Sequence, residues 1–215
     1  SQLQLEALAC SLGNVYTVNK SFRSEHSSTN KHVSEFTHLE IEMIDVSINT
    51  LMSNGEHLIK YCIGRILYEC NDDLLSLNKF ASKGIIKRLE NIYSSEFKKI
   101  SYDEAVEFLN KSKLKKKYGD DLSSEQENYI TTKYDCPVFV YNWPIEIKSF
   151  YMKQLDSGLC SSFDLLMPYG IGELIGGSMR EDNYDKLCSM MVKKDVSLES
   201  LKFYTDLRKY GTCPH

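Results

Sequence analysis

The stretch that decides the reading is Phe22-Arg23-Ser24-Glu25, followed by His32 and then by Glu35-Phe36-Thr37-His38-Leu39-Glu40. Apolar and polar residues roughly alternate over 14–18 and again over 36–43, and the polar, serine-rich run 24–34 separates the two. A period of two on either side of a polar connection predicts a long antiparallel hairpin over residues 15–43. One arm brings an arginine and an acid, the other an aromatic ring. Such a hairpin can gather a phosphate, an amine and a base, because a guanidinium fork binds oxyanions at fixed angles.

Downstream, Ile48, Leu51, Met52, Leu58, Ile59, Cys62, Ile63, Ile66 and Leu67 recur at helical spacing and predict an amphipathic helix of several turns. Ser101 with Glu104, and Ser123 with Gln126, are capping-box pairs that open two further helices, with a basic loop over Lys111–Lys117 between them. Strand-like runs follow at Pro137–Tyr141, Glu146–Met152, Ser162–Met167 and Glu173–Met179, and helices are predicted near Asp182–Lys193 and Leu198–Lys209. Without strict strand–helix alternation, the order favours an α+β fold in which an antiparallel sheet is flanked by helices. One domain is expected, with the hairpin at 15–43, a helical insertion at 45–134, strands bearing substrate and metal groups at 136–180, and C-terminal helices at 181–210.

Composition narrows the function classes. The chain has 215 residues, and 26 Lys+Arg against 30 Asp+Glu leave a net charge of -4, so any nucleic-acid contact must be local. Seven cysteines without a CxxC pair read as reduced thiols of a cytoplasmic protein. No apolar run approaches the length that crosses a bilayer, so no membrane partner is expected. The sequence starts at Ser1 in mid-pattern, which reads as a piece of a longer protein. His26, His32 and His38 are evenly spaced but lack a cysteine at ligand spacing, so a zinc site is not expected.

Phe22-Arg23-Ser24-Glu25 and the aromatic strand after it resemble motif 2 of the class II aminoacyl-tRNA synthetases, whose loop cradles ATP. The resemblance implies that Arg23 bridges the α-phosphate and the amino-acid carboxylate, Glu25 faces the adenine amine, His32 the outer phosphates, and Phe36 stacks on adenine. A second stretch, Gly172-Glu173-Leu174-Ile175-Gly176-Gly177-Ser178-Met179-Arg180, preceded by Asp164-Leu165-Leu166-Met167-Pro168, is similar to the metal- and substrate-binding strand of the Asp/Asn branch. It implies Mg²⁺ at Glu173, with Asp164 as a second ligand, and Arg180 on the substrate side chain. Hard oxygen donors joined to triphosphate oxygens are what Mg²⁺ prefers. The loop 168–173 is one residue longer than the family's, which bears on the reach of Asp164.

Ser1-Gln2-Leu3-Gln4-Leu5-Glu6 resembles the segment that runs from the flipping loop into a strand ahead of motif 2, and it places Gln2 beside the substrate. Aspartyl enzymes carry a lysine in this segment; here stand Leu5 and Glu6, so a neutral amide fits better than a carboxylate. The implied amino-acid pocket is Gln2, Glu6, His38, Glu40, Gly176, Gly177 and Arg180. Residues 144–152 and 204–215 resemble the eukaryotic, cytosolic asparaginyl form. As a partial catalytic core of that kind, the chain implies ATP and Mg²⁺, L-asparagine, tRNA(Asn) and a homodimer, with motifs 1 and 3 and an anticodon-binding domain lying outside it. An aspartate-activating or asparagine-forming relative, and a non-catalytic paralogue, are the alternatives. A place for Lys148 near the pocket stays open.

Overall fold

The computed structural model describes residues 2–23 and 33–215. In chain order the elements are α1 (Gln2–Leu12), β1 (Val15–Phe22), β2 (Glu35–Glu42), α2 (Ile48–Glu69), α3 (Asn71–Phe80), α4 (Ile85–Ser94), β3 (Lys98–Ser101), α5 (Tyr102–Asn110), α6 (Ser124–Tyr134), β4 (Val138–Pro144), β5 (Leu159–Met167), β6 (Gly172–Ser178), α7 (Tyr184–Lys193) and α8 (Lys202–Lys209). They form two compact units, one of Ser1–Val46 with Arg180–His215, the other of Ser47–Met179.

The first unit holds the hairpin. β1 and β2 pair antiparallel from Val15↔Glu42 to Phe22↔Glu35, as the alternation predicts. The faces are inverted relative to the usual rule. Asn19, Ser21, His38 and Glu40 lie on the sheltered side, while Tyr16, Val18, Phe22, Leu39 and Ile41 are exposed. A sheet that shelters its polar side chains keeps them for something other than the core.

The N-terminal segment departs from its expected strand: Gln2–Leu12 is helical. Gln, Leu, Glu and Ala are strong helix formers, and Leu5, Glu6 and Ala9 are buried on one side of the helix. Gly13, at φ +83°, ends it by donating its N–H to the Ala9 carbonyl at 3.0 Å.

The second unit is built on a four-stranded sheet in the order β3-β4-β5-β6. β3 runs parallel to β4, so the sheet is mixed rather than wholly antiparallel, and the other two pairings are antiparallel. A strand of four residues has too little period to be read from sequence. The run Glu146–Met152 is not a strand: Ile145–Ile147 form a 3-10 turn. These residues lie in the connection from β4 into β5, which also holds the isolated bridge Gln154↔Cys160 outside the named strands. Met52 and Ile63 of α2 lie in the core with Ile92, Phe97, Phe139, Phe163, Leu165 and Met167. Both capping boxes form, with Ser101 Oγ accepting from the Glu104 amide at 3.1 Å and Ser123 Oγ from that of Gln126 at 3.4 Å.

Gly177 shows why the glycines on β6 are there. A Cβ at this position would come within 2.4 Å of the Phe163 ring, itself buried and edge-on to Phe139 at 5.4 Å. Phe163 cannot yield, so Gly177→Ala should destabilise the protein by about 1–3 kcal/mol, read as a lower urea midpoint at unchanged slope. An unchanged midpoint would mean the ring has room to move.

Candidate active site

Period-two pairing puts Phe36, His38, Glu40 and Glu42 in a row on the sheltered face of β2. Arg23 sits at the head of this row. Its amide bonds the Ser34 carbonyl at 3.0 Å, and its guanidinium lies 5.2 Å from the Phe36 ring centroid, within cation–π range. The Phe36 and His38 rings are 5.7 Å apart, His38 Nδ1 is 3.4 Å from Ser21 Oγ, and Glu40 is approached by Asn19 Nδ2 at 3.5 Å. A positive fork, an aromatic platform and acids along one strip can hold a phosphate, a base and an amine in sequence. The expected roles of Glu25 and His32 fall outside the described residues.

At the far end of the row lies a buried ionic network. Arg180 donates from Nε to Glu6 Oε1 and from one NH2 nitrogen to Glu42 Oε1, both at 2.8 Å. Glu6 Oε2 accepts from the Tyr204 hydroxyl at 2.6 Å and from Arg208 at 3.0 Å, with His215 Nε2 at 3.2 Å. Glu6 is fully buried, and Arg180 and Glu42 nearly so. The resemblance puts Glu6 in the amino-acid pocket; in the structure its carboxylate faces inward from α1 and is bonded to these partners. Gln2, expected beside the substrate, opens the same helix and is half-buried.

The two carboxylates on Arg180 differ sharply. Burial alone would push the Glu6 carboxyl up, but His215, Arg180, Tyr204 and Arg208 together outweigh it and hold the group at about 2. Glu42 has Arg180 against burial and the repulsion of Glu6, and its carboxyl is raised.

In the second unit, Asp164 and Glu173 come together around Gly176. A Cβ on Gly176 would stand 3.2 Å from Glu173 Oε1 and 3.7 Å from Asp164 Oδ1, so the missing side chain opens the space the two acids share. Asp164 pairs with Lys148 Nζ at 2.5 Å, and Lys148 also lies over the Trp143 ring at 4.0 Å. Burial lifts the Asp164 carboxyl to about 6, Lys148 opposes the rise, and Glu173 adds to it. Two hard oxygen donors and the cradle left by Gly176 fit a magnesium ion. A register shift between Leu165 and Leu166, which pair with Ile175 and Glu173, marks a bulge in β6 beside Glu173. Gly177, expected at the amino acid, is instead pressed against Phe163.

Glu42, Tyr204, Arg208 and His215 were not anticipated as site residues. Glu42 continues the alternation Phe36, His38, Glu40 by one step, and that was the available signal. Arg208, on α8, is 202 residues from Glu6, and no local pattern links them. Among the described residues, Cys10, Cys213 and His215 form one further group with metal-ligand atoms within 4.8 Å of one another. His215 Nδ1 lies 2.7 Å from the Cys213 carbonyl and Nε2 lies 3.2 Å from Glu6, so both nitrogens are engaged within the fold.

The chain belongs to the class II tRNA synthetases of the D, K and N group, whose family model matches residues 1–215. Within that group it is similar to asparagine–tRNA ligases. It is 42% identical over its whole length to 49% of the enzyme of Desulfotalea psychrophila, and 42% identical to 47% of that of Clostridium tetani. Among solved structures, asparaginyl-tRNA synthetase of Pyrococcus horikoshii complexed with asparaginyl-adenylate superposes with a TM-score of 0.90 at 37% identity, covering 99% of this chain and 48% of that one. The Entamoeba histolytica enzyme, also with asparaginyl-adenylate, gives 0.80 at 32%, covering 100% and 48%. The chain spans about half the length of the relatives it matches. No helix among the described residues is long and apolar enough to cross a membrane.

Two predictions follow from the ionisation states. A carboxyl held at about 2 contributes stability that is complete above its ordinary value of 4.5 and is lost as the pH falls from there towards 2. Glu6→Gln should therefore cost about 3–5 kcal/mol near neutrality, a gap that closes in acid, whereas Glu42→Gln, at a raised carboxyl, should cost less. Thermal melts of both variants between pH 7 and pH 2 measure this, and equal losses would contradict it. Separately, carboxyl-carbon NMR should find Asp164 titrating near 6, and Lys148→Met should move that midpoint higher. A downward move would show that Lys148 is not its counter-ion.

Proposed function

We propose that the protein is an asparagine–tRNA ligase, which activates L-asparagine with ATP and transfers it to the 3′ end of tRNA(Asn). The observation that carries the amino-acid choice is the saturated arginine. Arg180 meets two buried carboxylates, Glu6 and Glu42, so its charge is already matched. Glu6 is also paired with Arg208, so a substrate carboxylate arriving there would be a third negative group against two guanidiniums, while a neutral amide adds no charge. Asparagine and aspartate are nearly the same shape, and charge is what separates them.

In the first step the asparagine carboxylate attacks the α-phosphorus of ATP and pyrophosphate leaves, giving asparaginyl-adenylate; in the second the terminal ribose hydroxyl of the tRNA attacks the acyl carbon and AMP leaves. The protein supplies position and charge, and none of its side chains is a nucleophile. Arg23 neutralises the α-phosphate and the attacking carboxylate, with its fork oriented by the Phe36 ring. Phe36 offers its face to adenine. His38 and Glu40 lie further along the same strip, towards Arg180, where the amino and side-chain ends of asparagine are held. Asp164 and Glu173 would hold Mg²⁺, which when bound neutralises charge on the phosphates. As in the family resemblance, the working form is a homodimer in the cytoplasm.

ATP–pyrophosphate exchange on the full-length protein tests this. Asparagine should support exchange and aspartate should not. Arg23→Ala should lower the rate roughly 10²–10³-fold while changing asparagine KM far less, because its main contact develops in the transition state. Exchange with aspartate would overturn the charge argument, and no exchange with either would point to a binding protein on the same fold.

A further inference from the structure

We propose that Arg208, on α8, is a positioning residue for amino-acid selection, setting the orientation of Arg180 from two sides at once; this rests on the ligase reading above. Arg208 is completely buried at its side chain. Its Nε donates to the Glu181 carbonyl at 2.9 Å, and Glu181 is the residue directly after Arg180. Its NH2 group donates to Glu6 Oε2 at 3.0 Å, and the other oxygen of that carboxylate receives Arg180 Nε. One guanidinium therefore holds both the carbonyl of the residue after Arg180 and the acid that faces Arg180.

The surrounding contacts hold Arg208 in this pose. Its guanidinium carbon lies 4.1 Å from the Tyr204 ring centroid, and its NH2 is 3.0 Å from the Tyr204 hydroxyl, which itself donates to Glu6. With Oε2 occupied by α8, the Glu6 carboxylate is turned so that Oε1 points to Arg180. If Glu6 rotated, Arg180 would lose one of its two matched carboxylates and its direction with it.

A simpler role is possible for any buried cation beside a buried acid, namely charge compensation. The geometry separates the two. Compensation needs only a positive charge, which lysine supplies. Positioning needs two donors at a fixed angle, and a lysine ammonium has no planar fork with which to reach the Glu181 carbonyl and Glu6 together.

The test uses the full-length protein and the variants Arg208→Lys, Arg208→Met and Tyr204→Phe. In ATP–pyrophosphate exchange, Arg208→Lys and Arg208→Met should both raise asparagine KM about tenfold or more, with ATP KM within about twofold of the parent. Tyr204→Phe removes one hydrogen bond to Glu6 without removing a charge, and should raise asparagine KM by roughly threefold should the arginine variants fail to fold. Full rescue by lysine would overturn the proposal in favour of charge compensation, as would equal changes in both KM values. In parallel, the Arg180 Nε–H resonance of the ligand-free protein should exchange with water about tenfold faster in Arg208→Lys; an unchanged rate overturns the proposal. That measurement needs no activity, so a parent protein that fails to exchange with asparagine defeats the ligase reading and leaves the positioning claim decided by the resonance.

Discussion

An ionised carboxylate without water around it must find its partners inside the protein, and Glu6 has four of them. They come from the segment entering α7, from α8 and from the residues after it. Leaving any one charge in this set unpaired would cost more than the set as a whole contributes, because burial penalises a lone ion far more than a matched pair. The elements of the first unit are therefore tied together through one acid. The same constraint fixes Arg180, since a guanidinium between two buried carboxylates has little freedom to turn.

The hairpin is arranged around a related compromise. Its sheltered face carries Asn19, Ser21, His38, Glu40 and Glu42, polar side chains that burial of hydrophobic area alone would not place there. Phe36, His38, Glu40 and Glu42 share that face because they alternate along β2, and Arg23 joins them at its head through the Phe36 ring. The second unit makes the same trade on β6, where Gly176 gives up a side chain so that Asp164 and Glu173 can share a space. Gly177, one residue on, gives up its own for the Phe163 ring. Adjacent glycines in one motif thus have different reasons, one at the acids and one in the core.

Much of this could be read along the chain wherever the reason was local. The β1–β2 hairpin followed from alternation, α2 from a helical stripe, and α5 and α6 from their capping boxes. The strand expected over Glu146–Met152 is instead a 3-10 turn and connection, because β-propensity says nothing about where the chain must turn to bring β5 back beside β4. The resemblance at residues 1–6 implies an approach to a strand, whereas the helix-forming Gln, Leu, Glu and Ala of the segment fold as α1. β3 was too short to show a period. The resemblance singles out Glu6 for the amino-acid pocket, yet its surroundings, four partners from distant parts of the chain, have no signature in sequence.

The sequence by itself determined the family, the motif bearing Arg23 and Phe36, the acidic pair Asp164 and Glu173, and the placing of polar residues on alternate positions of β2. These are matters of residue type and spacing, which local backbone geometry converts directly into a shared face. Only the tertiary structure decided that Glu6 is buried rather than open, that Arg180 is matched by two carboxylates, and that Arg208 reaches the same acid from 202 residues away. Charges interact through space and are strengthened by the exclusion of water, and neither distance nor burial is written in the order of the residues.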